Sequence, residues 1–214
     1  MYADAETLRN HWWARPGWRP GRLIYTWHLT FEDAPELHRL AAAYQRQLEP
    51  LSGLNLVPLQ WLHLTVQGVG YTDDVDTDTL HAVTTSVQER LASFPAFETT
   101  FSRPVIFAEA IVLPPAPSEP FRDLLATIRD GMADALGPDR VPNGPEQTPG
   151  FRPHVSLAYG SSEHSARPYR AALDAIHPEP ASAQITRATL ITQDRVLAPE
   201  WVYRWTTEAH APLA

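Results

Sequence analysis

The sequence predicts one α+β domain of mixed strands and helices. Four amphipathic segments with apolar residues at helical spacing alternate with short segments rich in β-branched and aromatic residues. No Gly- or Ser-rich linker divides the chain, and 214 residues with 43% hydrophobic content allow one sizeable core. The order in which strands and helices alternate favours a mixed α/β or α+β architecture.

Each helix is predicted from an apolar stripe along one face. The four segments are Leu37–Leu48, Leu80–Leu91, Phe121–Met132 and Ala166–Ile176. Asp33 is the predicted cap of the first helix, with Pro35 in its first turn, and Ser118 is the predicted cap of the third. The second helix follows an acidic stretch at 76–78.

Seven segments have strand character. They are Leu23–Phe31, Trp61–Val69, Phe97–Phe101, Val105–Leu113, Phe151–Tyr159, Ala183–Ile191 and Trp201–Thr206. We expect residues 23–214 to form one domain behind a Trp- and Arg-rich arm at 1–22, which either packs over the domain, as we favour, or stacks nucleobases. The proline-rich stretch Gly137–Gly150 either borders a functional cleft or is a stiff surface connection.

Two residue types are missing from the sequence. It has no cysteine, and all 17 basic side chains are arginine. The first absence excludes disulfides, zinc–thiolate sites, iron–sulfur clusters and cysteine nucleophiles. The second excludes a P-loop lysine, Schiff-base catalysis and pyridoxal phosphate chemistry. Proton transfer near neutral pH therefore falls mainly to nine histidines and 25 carboxylates.

The charge balance limits the partners. The formal net charge is −8, so we expect no long duplex nucleic acid on a broad basic surface, whereas a local Arg- or His-lined cleft can take a small anion or an RNA end. No apolar run approaches the roughly 20 residues of a membrane span, and the start of the chain is polar. We expect a cytoplasmic monomer without membrane association.

Two predicted strands carry the same pattern of a histidine, an apolar residue and a hydroxyl. The patterns are His63-Leu64-Thr65 and His154-Val155-Ser156. Because alternate side chains of a strand point to one face, each strand places an imidazole beside a hydroxyl and its apolar residues against the core. The same alternation predicts that Gln67 shares the face of the first motif.

The placement of the two motifs carries more weight than either motif alone. Composition predicts about one chance occurrence of the pattern, and a third copy is present at His28-Leu29-Thr30. His63 and His154, however, lie one in each half of the chain, in comparable strand contexts followed by a helix. This arrangement indicates an internal duplication that closes a cleft on a pseudo-twofold axis.

With these motifs the sequence resembles the two-histidine (2H) phosphoesterases, which include 2′-5′ RNA ligase-like proteins and related cyclic nucleotide phosphodiesterases. His63-Leu64-Thr65-Val66 and His154-Val155-Ser156-Leu157 match the family's paired motif, and the order of elements fits over roughly 23–206. Gln67-Gly68-Val69-Gly70 departs from the apolar-Leu-Gly ending that is common in the family. The resemblance implies two pseudo-symmetric lobes of antiparallel sheet with outer helices around a central cleft.

The resemblance also implies a function. His63 and His154 would be the catalytic base and acid, in an order that the sequence does not assign, and Thr65 and Ser156 would bind the phosphate. The implied substrate is a 2′,3′-cyclic phosphate or related phosphodiester on an RNA end or nucleotide. It would be hydrolysed, or reversibly ligated when an RNA 5′-hydroxyl is the nucleophile. This chemistry requires no metal and no cofactor.

Other interpretations stay open at this point. The two histidines are structural residues of half-exposed strands, or the cleft binds nucleotides or RNA ends without catalysis, or the chain is a structural interaction protein. A catalytic metal is disfavoured, because no His-x-His, His-x-x-x-His or His-Glu-x-x-His spacing occurs and neither motif strand carries a carboxylate.

Four further residues are candidate substrate-binding groups. Arg152, two residues before the second motif histidine, binds phosphate or pairs with an acidic surface group. His28 is a wall of the cleft or a chance match to the motif. Gln67 is a candidate because strand alternation predicts that it shares the face of His63 and Thr65. Tyr159 faces the core by strand parity, unless the strand bends at Gly160 and the ring stacks on a base.

Overall fold

The structure, a computed structural model, describes residues 2–143 and 150–214. Its helices are α1 (Pro35–Leu48), α2 (Thr77–Leu91), α3 (Glu119–Leu136) and α4 (Arg167–Asp174). Its strands are β1 (Thr7–Leu8), β2 (Ile24–Thr30), β3 (Leu54–Leu56), β4 (His63–Tyr71), β5 (Phe97–Phe101), β6 (Val105–Ile106), β7 (Ala110–Leu113), β8 (Pro115–Ala116), β9 (Val155–Gly160), β10 (His164–Ser165), β11 (Ala181–Ile185), β12 (Arg187–Val196) and β13 (Val202–Pro212). Residues 144–149 of the predicted proline-rich loop lie outside the described residues.

Two four-stranded antiparallel sheets form the centre of the protein. The first sheet has the strand order β13-β12-β2-β4, and the second has the order β3-β9-β7-β6. Strands β4 and β9 contact each other where the two sheets meet. A three-stranded sheet, β11-β5-β8, and the pair β1-β10 lie beside them. The predicted α+β class with two similar lobes is therefore confirmed.

Helices cover the outer faces of both sheets, and α1 packs on the sheet that does not contain the strand before it in the chain. Helix α1 follows β2 in the chain but packs against β9 of the second sheet, whereas α3 packs against β4 of the first sheet. Helix α2 lies beside α3, and α4 lies beside α1. The apolar stripe of α1, which includes Leu37, Tyr44 and Leu48, is buried in the core. Within the described ranges no helix is long and apolar enough to cross a membrane.

The four predicted helices are present, and their starts differ in detail. The prediction of Asp33 as a cap is wrong, because Ala34 occupies that position in α1 and no side chain caps the helix. Ser118 occupies the cap position of α3 but makes no capping hydrogen bond. Asp76, in the acidic stretch before α2, accepts a hydrogen bond of 2.7 Å from the backbone N–H of Thr79.

Several predicted strands have different bounds in the structure, and the last of them, predicted as Trp201–Thr206, continues to Pro212. The segment Val105–Leu113 forms the hairpin β6–β7, and Ala183–Ile191 spans the end of β11 and the start of β12. The predicted strand Phe151–Tyr159 begins only at Val155. Pro153 cannot donate a hydrogen bond to a strand ladder, so the chain around it stays outside the sheet. The second motif histidine therefore lies just before β9.

An extra residue interrupts β4 directly after its motif. Thr65 pairs with His28 and Gln67 pairs with Trp27, so Val66 has no partner on β2. Because His28 and Trp27 point to opposite faces of β2, Thr65 and Gln67 also point to opposite faces. This β-bulge turns Gln67 to the outer face of the sheet, beneath α3.

Strand β9 has the same irregularity at the equivalent position. Ser156 and Ala158 pair with neighbouring residues of β7, which makes Leu157 the extra residue. The carbonyl oxygen of Leu157 accepts a hydrogen bond of 3.0 Å from the side-chain amide of Gln45 in α1. Both bulges therefore follow the motif histidine by three residues, and the pseudo-symmetry includes this detail of the backbone.

The N-terminal arm packs over the junction of the two sheets. Trp12 is 5% exposed, and its ring contacts Tyr159 of the second sheet and Tyr203 of the first. Three arginines of the arm form ion pairs with acidic residues of the domain: Arg15 with Glu109, Arg19 with Asp73, and Arg22 with Asp73 and Asp74. These contacts support the packing interpretation of the arm.

Gly131 lies at the contact of α2 with α3 and provides a test of this packing. A Cβ atom at this position would lie 2.9 Å from the Cα of Val87 and 3.2 Å from the carbonyl oxygen of Ser86. We expect Gly131→Ala to lower the free energy of unfolding by about 1–3 kcal/mol, because backbone atoms cannot easily move aside. Urea denaturation measures this change.

Ala126, which is exposed on the same helix, provides the matched control. Ala126→Gly should destabilise the protein by about 1 kcal/mol through helix propensity alone. Alanine at position 131 would gain a similar amount from propensity, so a net loss there isolates the packing effect. A Gly131→Ala variant as stable as the parent protein would contradict the close approach of the two helices.

Candidate active site

His63 begins β4, and one hydrogen bond fixes the orientation of its ring. The Nδ1 atom donates to the carbonyl oxygen of Trp61 at 2.8 Å. Trp61 ends a 3₁₀ turn of residues 59–61, which presents this carbonyl to the ring. Because Nδ1 carries the hydrogen, Nε2 carries the free lone pair of the neutral imidazole. Among residues 2–143 and 150–214, none forms a hydrogen bond with this Nε2 atom.

His154 repeats this arrangement on the second sheet. Its Nδ1 atom donates to the carbonyl oxygen of Arg152 at 2.6 Å. In both lobes the imidazole therefore bonds to the carbonyl two residues earlier, which fixes the same tautomer and leaves Nε2 for a ligand. His154 lies close enough to His63 to disfavour its protonation. The structure thus brings together the two histidines that the sequence pattern pairs.

Thr65 and Ser156 lie beside the two rings, and each hydroxyl has its own buried partner. The Oγ1 atom of Thr65 is 3.1 Å from Nε2 of His28. Ser156, which is 7% exposed, lies near the hydroxyl of Tyr159, close enough to influence its pKa. Two imidazoles and two hydroxyls therefore line one site where β4 and β9 meet.

Burial keeps both motif imidazoles neutral at pH 7. It lowers the pKa of His63 to about 4, although the hydrogen bond to the Trp61 carbonyl acts in the opposite direction. It also lowers the pKa of His154, against the effect of the hydrogen bond to the Arg152 carbonyl. A negative ligand between the rings would raise both pKa values, because it favours the charged imidazolium. The site is therefore suited to bind an anion together with a proton.

Gln67 does not line the site. The bulge at Val66 turns its side chain beneath α3, where Arg129 donates to the side-chain oxygen of Gln67 at 3.1 Å. The amide nitrogen of Gln67 donates to the carbonyl of Pro142 at 3.2 Å, and the residue is 0% exposed. The prediction that Gln67 shares the face of His63 and binds substrate is therefore wrong.

His28 is also fully buried, so it is not the predicted wall of the cleft. Its ring stacks behind that of His63, with 4.6 Å between centroids and 18° between planes. Burial lowers its pKa well below the usual range for histidine, and the neighbouring His63 adds to this effect. His28 contacts the motif residues His63 and Thr65 from within the core.

Tyr159 faces the site although strand parity predicts that it faces the core. The bulge at Leu157 reverses the alternation and brings its hydroxyl to Ser156. Its ring stacks on His11 of the arm, with centroids 4.2 Å apart and planes 19° apart, and the residue is only 5% exposed. Because His11 covers one face of the ring, stacking of a base on Tyr159 is not supported.

Arg152 lies beside His154 and is exposed. Its guanidinium carbon is 4.0 Å from the centroid of Phe107, whose ring lies 5.3 Å from that of His154. Arg152 is not a member of any ion pair formed between described residues. Its charge lowers the pKa of His154. A free guanidinium next to a motif histidine matches the phosphate-binding interpretation better than the surface ion pair.

An aromatic wall beside His63 was not predicted from the sequence. Trp205 of β13 lies 5.2 Å from the ring of His63 and 4.6 Å from that of Trp61. Tyr203 lies 6.4 Å from His63, on the same face of β13 as Trp205. The alternation of Tyr203 and Trp205 in a predicted strand is the signal that marks these residues as neighbours. The sequence did not show which face of the sheet they occupy.

His11 is a second functional candidate that the sequence did not predict. Its Nε2 atom is 2.9 Å from the hydroxyl of Tyr203, and its Nδ1 atom is 3.5 Å from a carboxylate oxygen of Glu109. Burial lowers the pKa of His11 to about 4. No spacing in the arm distinguishes His11 from a surface histidine, because its neighbours come from distant parts of the chain.

The family follows from the sequence itself. A model of the 2′-5′ RNA ligase superfamily matches residues 31–197, a range that includes both motifs. The chain belongs to this superfamily. His11, His28 and the aromatic pair on β13 lie outside the matched range. No curated protein matches the sequence significantly.

Solved structures of similar proteins have the same fold. TT0787 of Thermus thermophilus has a TM-score of 0.64 at 19% identity, and the match covers 90% of this chain and 97% of that chain. LigT of E. coli in complex with 3′-AMP has a TM-score of 0.63 at 16% identity, with 90% and 98% coverage. A crystal structure of a phosphoesterase has a TM-score of 0.61 at 20% identity, with 91% and 99% coverage.

The buried histidines predict how stability depends on pH. His63 and His11 have pKa values lowered to about 4 in the folded protein, so the unfolded chain binds more protons between pH 6.5 and pH 4. The free energy of unfolding should therefore fall as the pH is lowered through this window. Each of these two rings should lower the free energy of unfolding by on the order of 2–3 kcal/mol across this window. Urea denaturation at pH 7.5, 5.5 and 4.5 measures the slope.

Two variants separate this effect from general acid denaturation. His11→Phe should make the free energy of unfolding less dependent on pH, because phenylalanine binds no proton when the chain unfolds. His81→Gln, at an exposed position of α2, should leave the slope as it is in the parent protein. A free energy of unfolding that stays constant from pH 7.5 to 4.5 would disprove this account of the buried rings.

Proposed function

We propose that this member of the 2′-5′ RNA ligase superfamily is a metal-independent phosphoesterase. It opens a 2′,3′-cyclic phosphate, or a related phosphodiester, on an RNA end or a nucleotide. The observation that carries the proposal is the matching pair of Nδ1 hydrogen bonds, 2.8 Å long at His63 and 2.6 Å long at His154. These bonds leave the Nε2 atom of each ring available for proton transfer.

In the proposed reaction the two imidazoles share one proton. One Nε2 atom takes a proton from the attacking water, while the other gives a proton to the leaving ribose oxygen. A bond forms between the water oxygen and phosphorus, one ester P–O bond of the cyclic phosphate breaks, and the product is a phosphomonoester with a free hydroxyl. An RNA 5′-hydroxyl in place of water gives ligation by the same steps.

The two motif hydroxyls stabilise the negative charge that develops on the phosphate oxygens. Thr65 and Ser156 each lie two residues after a motif histidine, beside its ring. Their O–H groups can donate to the non-bridging oxygens, where negative charge accumulates in the transition state. Because their backing partners are buried, these donors are held in place before substrate arrives.

The substrate class is supported by the family and by the surroundings of the site. Structures of E. coli LigT include complexes with 3′-AMP and with phosphate. Here, the rings of Trp61 and Trp205 beside His63 offer a surface on which a nucleobase can stack. The guanidinium of Arg152 lies on the side of His154. A nucleotide that carries a cyclic phosphate fits this combination.

His63→Ala and His154→Ala test the proposed mechanism directly. In the presence of EDTA, the parent protein should hydrolyse at least one 2′,3′-cyclic nucleotide of a panel that carries all four bases. Each variant should lose about 100-fold or more in kcat, because one proton transfer is no longer assisted. His38→Ala is the matched control. His38 lies on α1, hydrogen-bonds to the carbonyl oxygen of Phe31 just before that helix, and is outside the site. This variant should keep full activity.

The pH dependence of kcat/KM is part of the same test. The productive state carries one proton on the histidine pair, and both pKa values of the free protein are lowered from 6.5. The optimum of kcat/KM should therefore lie below pH 6.5, with a decline towards pH 8. The profile of kcat should lie at higher pH, because bound phosphate raises both pKa values. A kcat/KM that rises from pH 6.5 to pH 8 would contradict the mechanism.

Two other outcomes would replace the proposal. Binding of cyclic nucleotides without turnover would favour a non-catalytic nucleotide- or RNA-end-binding protein that uses the same cleft. Loss of activity in EDTA would refute the metal-free mechanism. In the part of the chain that the structure describes, no group of three or more His, Asp or Glu side chains could hold a metal ion.

Arg152 gives a separate prediction about substrate binding. Arg152→Met keeps an aliphatic chain over Phe107 but removes the charge, so KM should rise about tenfold while kcat changes less. Arg167→Met, at an exposed position of α4, should leave both constants unchanged. Steady-state kinetics at low and high salt measure the effect, which should shrink as salt screens the charge. An unchanged KM would exclude Arg152 as a phosphate ligand.

A further inference from the structure

His28 is a buried imidazole that the proposed reaction does not use. It lies on β2 opposite Thr65 and is 0% exposed. One face of its ring stacks behind His63, with a centroid distance of 4.6 Å, and its Nε2 atom lies 3.1 Å from Oγ1 of Thr65. A single side chain thus contacts both reactive groups of the first lobe from the side that faces away from substrate.

The surroundings of the ring indicate which nitrogen carries its hydrogen. The Nδ1 atom is buried and has no hydrogen-bond partner among the described residues. A buried N–H without an acceptor is rarer in proteins than a buried acceptor without a donor. The hydrogen therefore belongs on Nε2, which donates to Thr65. Burial lowers the pKa of His28, and His63 adds to this, so the ring stays neutral when His63 takes up a proton.

The hydrogen bond from His28 has a consequence for the Thr65 hydroxyl. A hydroxyl has one hydrogen to donate and two lone pairs. When a lone pair of Thr65 accepts the Nε2 hydrogen, the O–H of Thr65 is left for the ligand, and a hydroxyl that accepts a hydrogen bond is also a stronger donor. His28 thus makes Thr65 a donor to the bound phosphate.

We propose that His28 is a positioning residue of the phosphate site: it holds the Thr65 hydroxyl as a hydrogen-bond donor and supports the His63 ring from behind. This inference rests on the function proposed above. In the second lobe the group next to the motif hydroxyl is different, because the phenol of Tyr159 rather than an imidazole lies near Ser156.

A purely structural role would favour a different residue at this position. The side chain of His28 packs against the rings of His63 and Trp205, with centroid distances of 4.6 Å and 5.9 Å, and an apolar ring would fill the same space. The unpaired Nδ1 of His28 is a burial penalty that phenylalanine would not carry. The imidazole is therefore explained by what it does for Thr65 rather than by packing.

His28→Phe and His28→Gln separate the two contributions of the ring. His28→Phe keeps the stacked ring but loses the donor, so kcat on the best cyclic nucleotide should fall about tenfold or more, while the thermal midpoint should stay the same or rise. His28→Gln can place its amide N–H near the position of Nε2, and it should bind adenosine 3′-monophosphate within about threefold of the parent protein. His38→Phe, remote from the site, should leave kcat unchanged.

A double-mutant cycle with Thr65→Val shows whether His28 acts through Thr65. If it does, His28→Phe should weaken the binding of adenosine 3′-monophosphate in the parent protein but have little further effect in the Thr65→Val background. Effects that multiply would overturn the inference, and so would a His28→Phe variant with unchanged kcat. A His28→Phe variant that loses both its activity and its thermal stability would also overturn it, since the role would then be structural.

These measurements distinguish failure of the inference from failure of the proposed function. If the parent protein turns over no cyclic nucleotide, the proposed function fails, and the binding cycle with adenosine 3′-monophosphate alone decides the role of His28. If the parent protein is active and the two substitutions act independently, the function stands and the inference fails. If the parent protein neither turns over the cyclic nucleotides nor binds adenosine 3′-monophosphate, both fail.

Discussion

The hydrogen bond from each motif imidazole to the carbonyl two residues earlier is the interaction on which the candidate site depends. It requires a carbonyl that no strand ladder uses. Trp61 meets this condition because it ends a 3₁₀ turn before β4, and Arg152 meets it because it precedes Pro153 outside β9. The irregular segments before the two strands therefore fix the tautomer of both rings. Once Nδ1 is committed to the backbone, all the chemistry of the pair passes through Nε2.

Alternation over the three residues of each motif predicts an imidazole beside a hydroxyl, and the structure has this arrangement even though His154 lies one residue before β9. The same alternation failed for Gln67 and Tyr159, which lie just past the motifs, because each strand gains one extra residue at the next position. A one-residue shift exchanges the two faces of a sheet. Val66 and Leu157 are ordinary strand residues with no Gly or Pro beside them to indicate a bulge. Their conformation depends on the helices beneath, which a local pattern does not contain.

The roles of the groups behind the site could not be predicted from the sequence for a different reason. His28 and His11 acquire their roles from neighbours that are distant in sequence: Thr65 and His63 for one, Tyr159 and Tyr203 for the other. Their burial lowers both pKa values, and burial comes from tertiary packing rather than from the residue's own segment. The sequence could identify the third copy of the histidine pattern but not whether its imidazole faces a ligand or supports those that do.

The pseudo-symmetry of the two lobes ends behind the reactive groups, and this makes the two histidines unequal. Neutral rings surround His63, whereas the charge of Arg152 acts on His154 and lowers its pKa. In the proposed reaction, a phosphate bound to the guanidinium neutralises that charge and removes its effect on His154 alone. Binding therefore favours a proton on His154 more than on His63. This difference favours His154 as the acid and His63 as the base, an order that the duplicated motifs cannot specify by themselves.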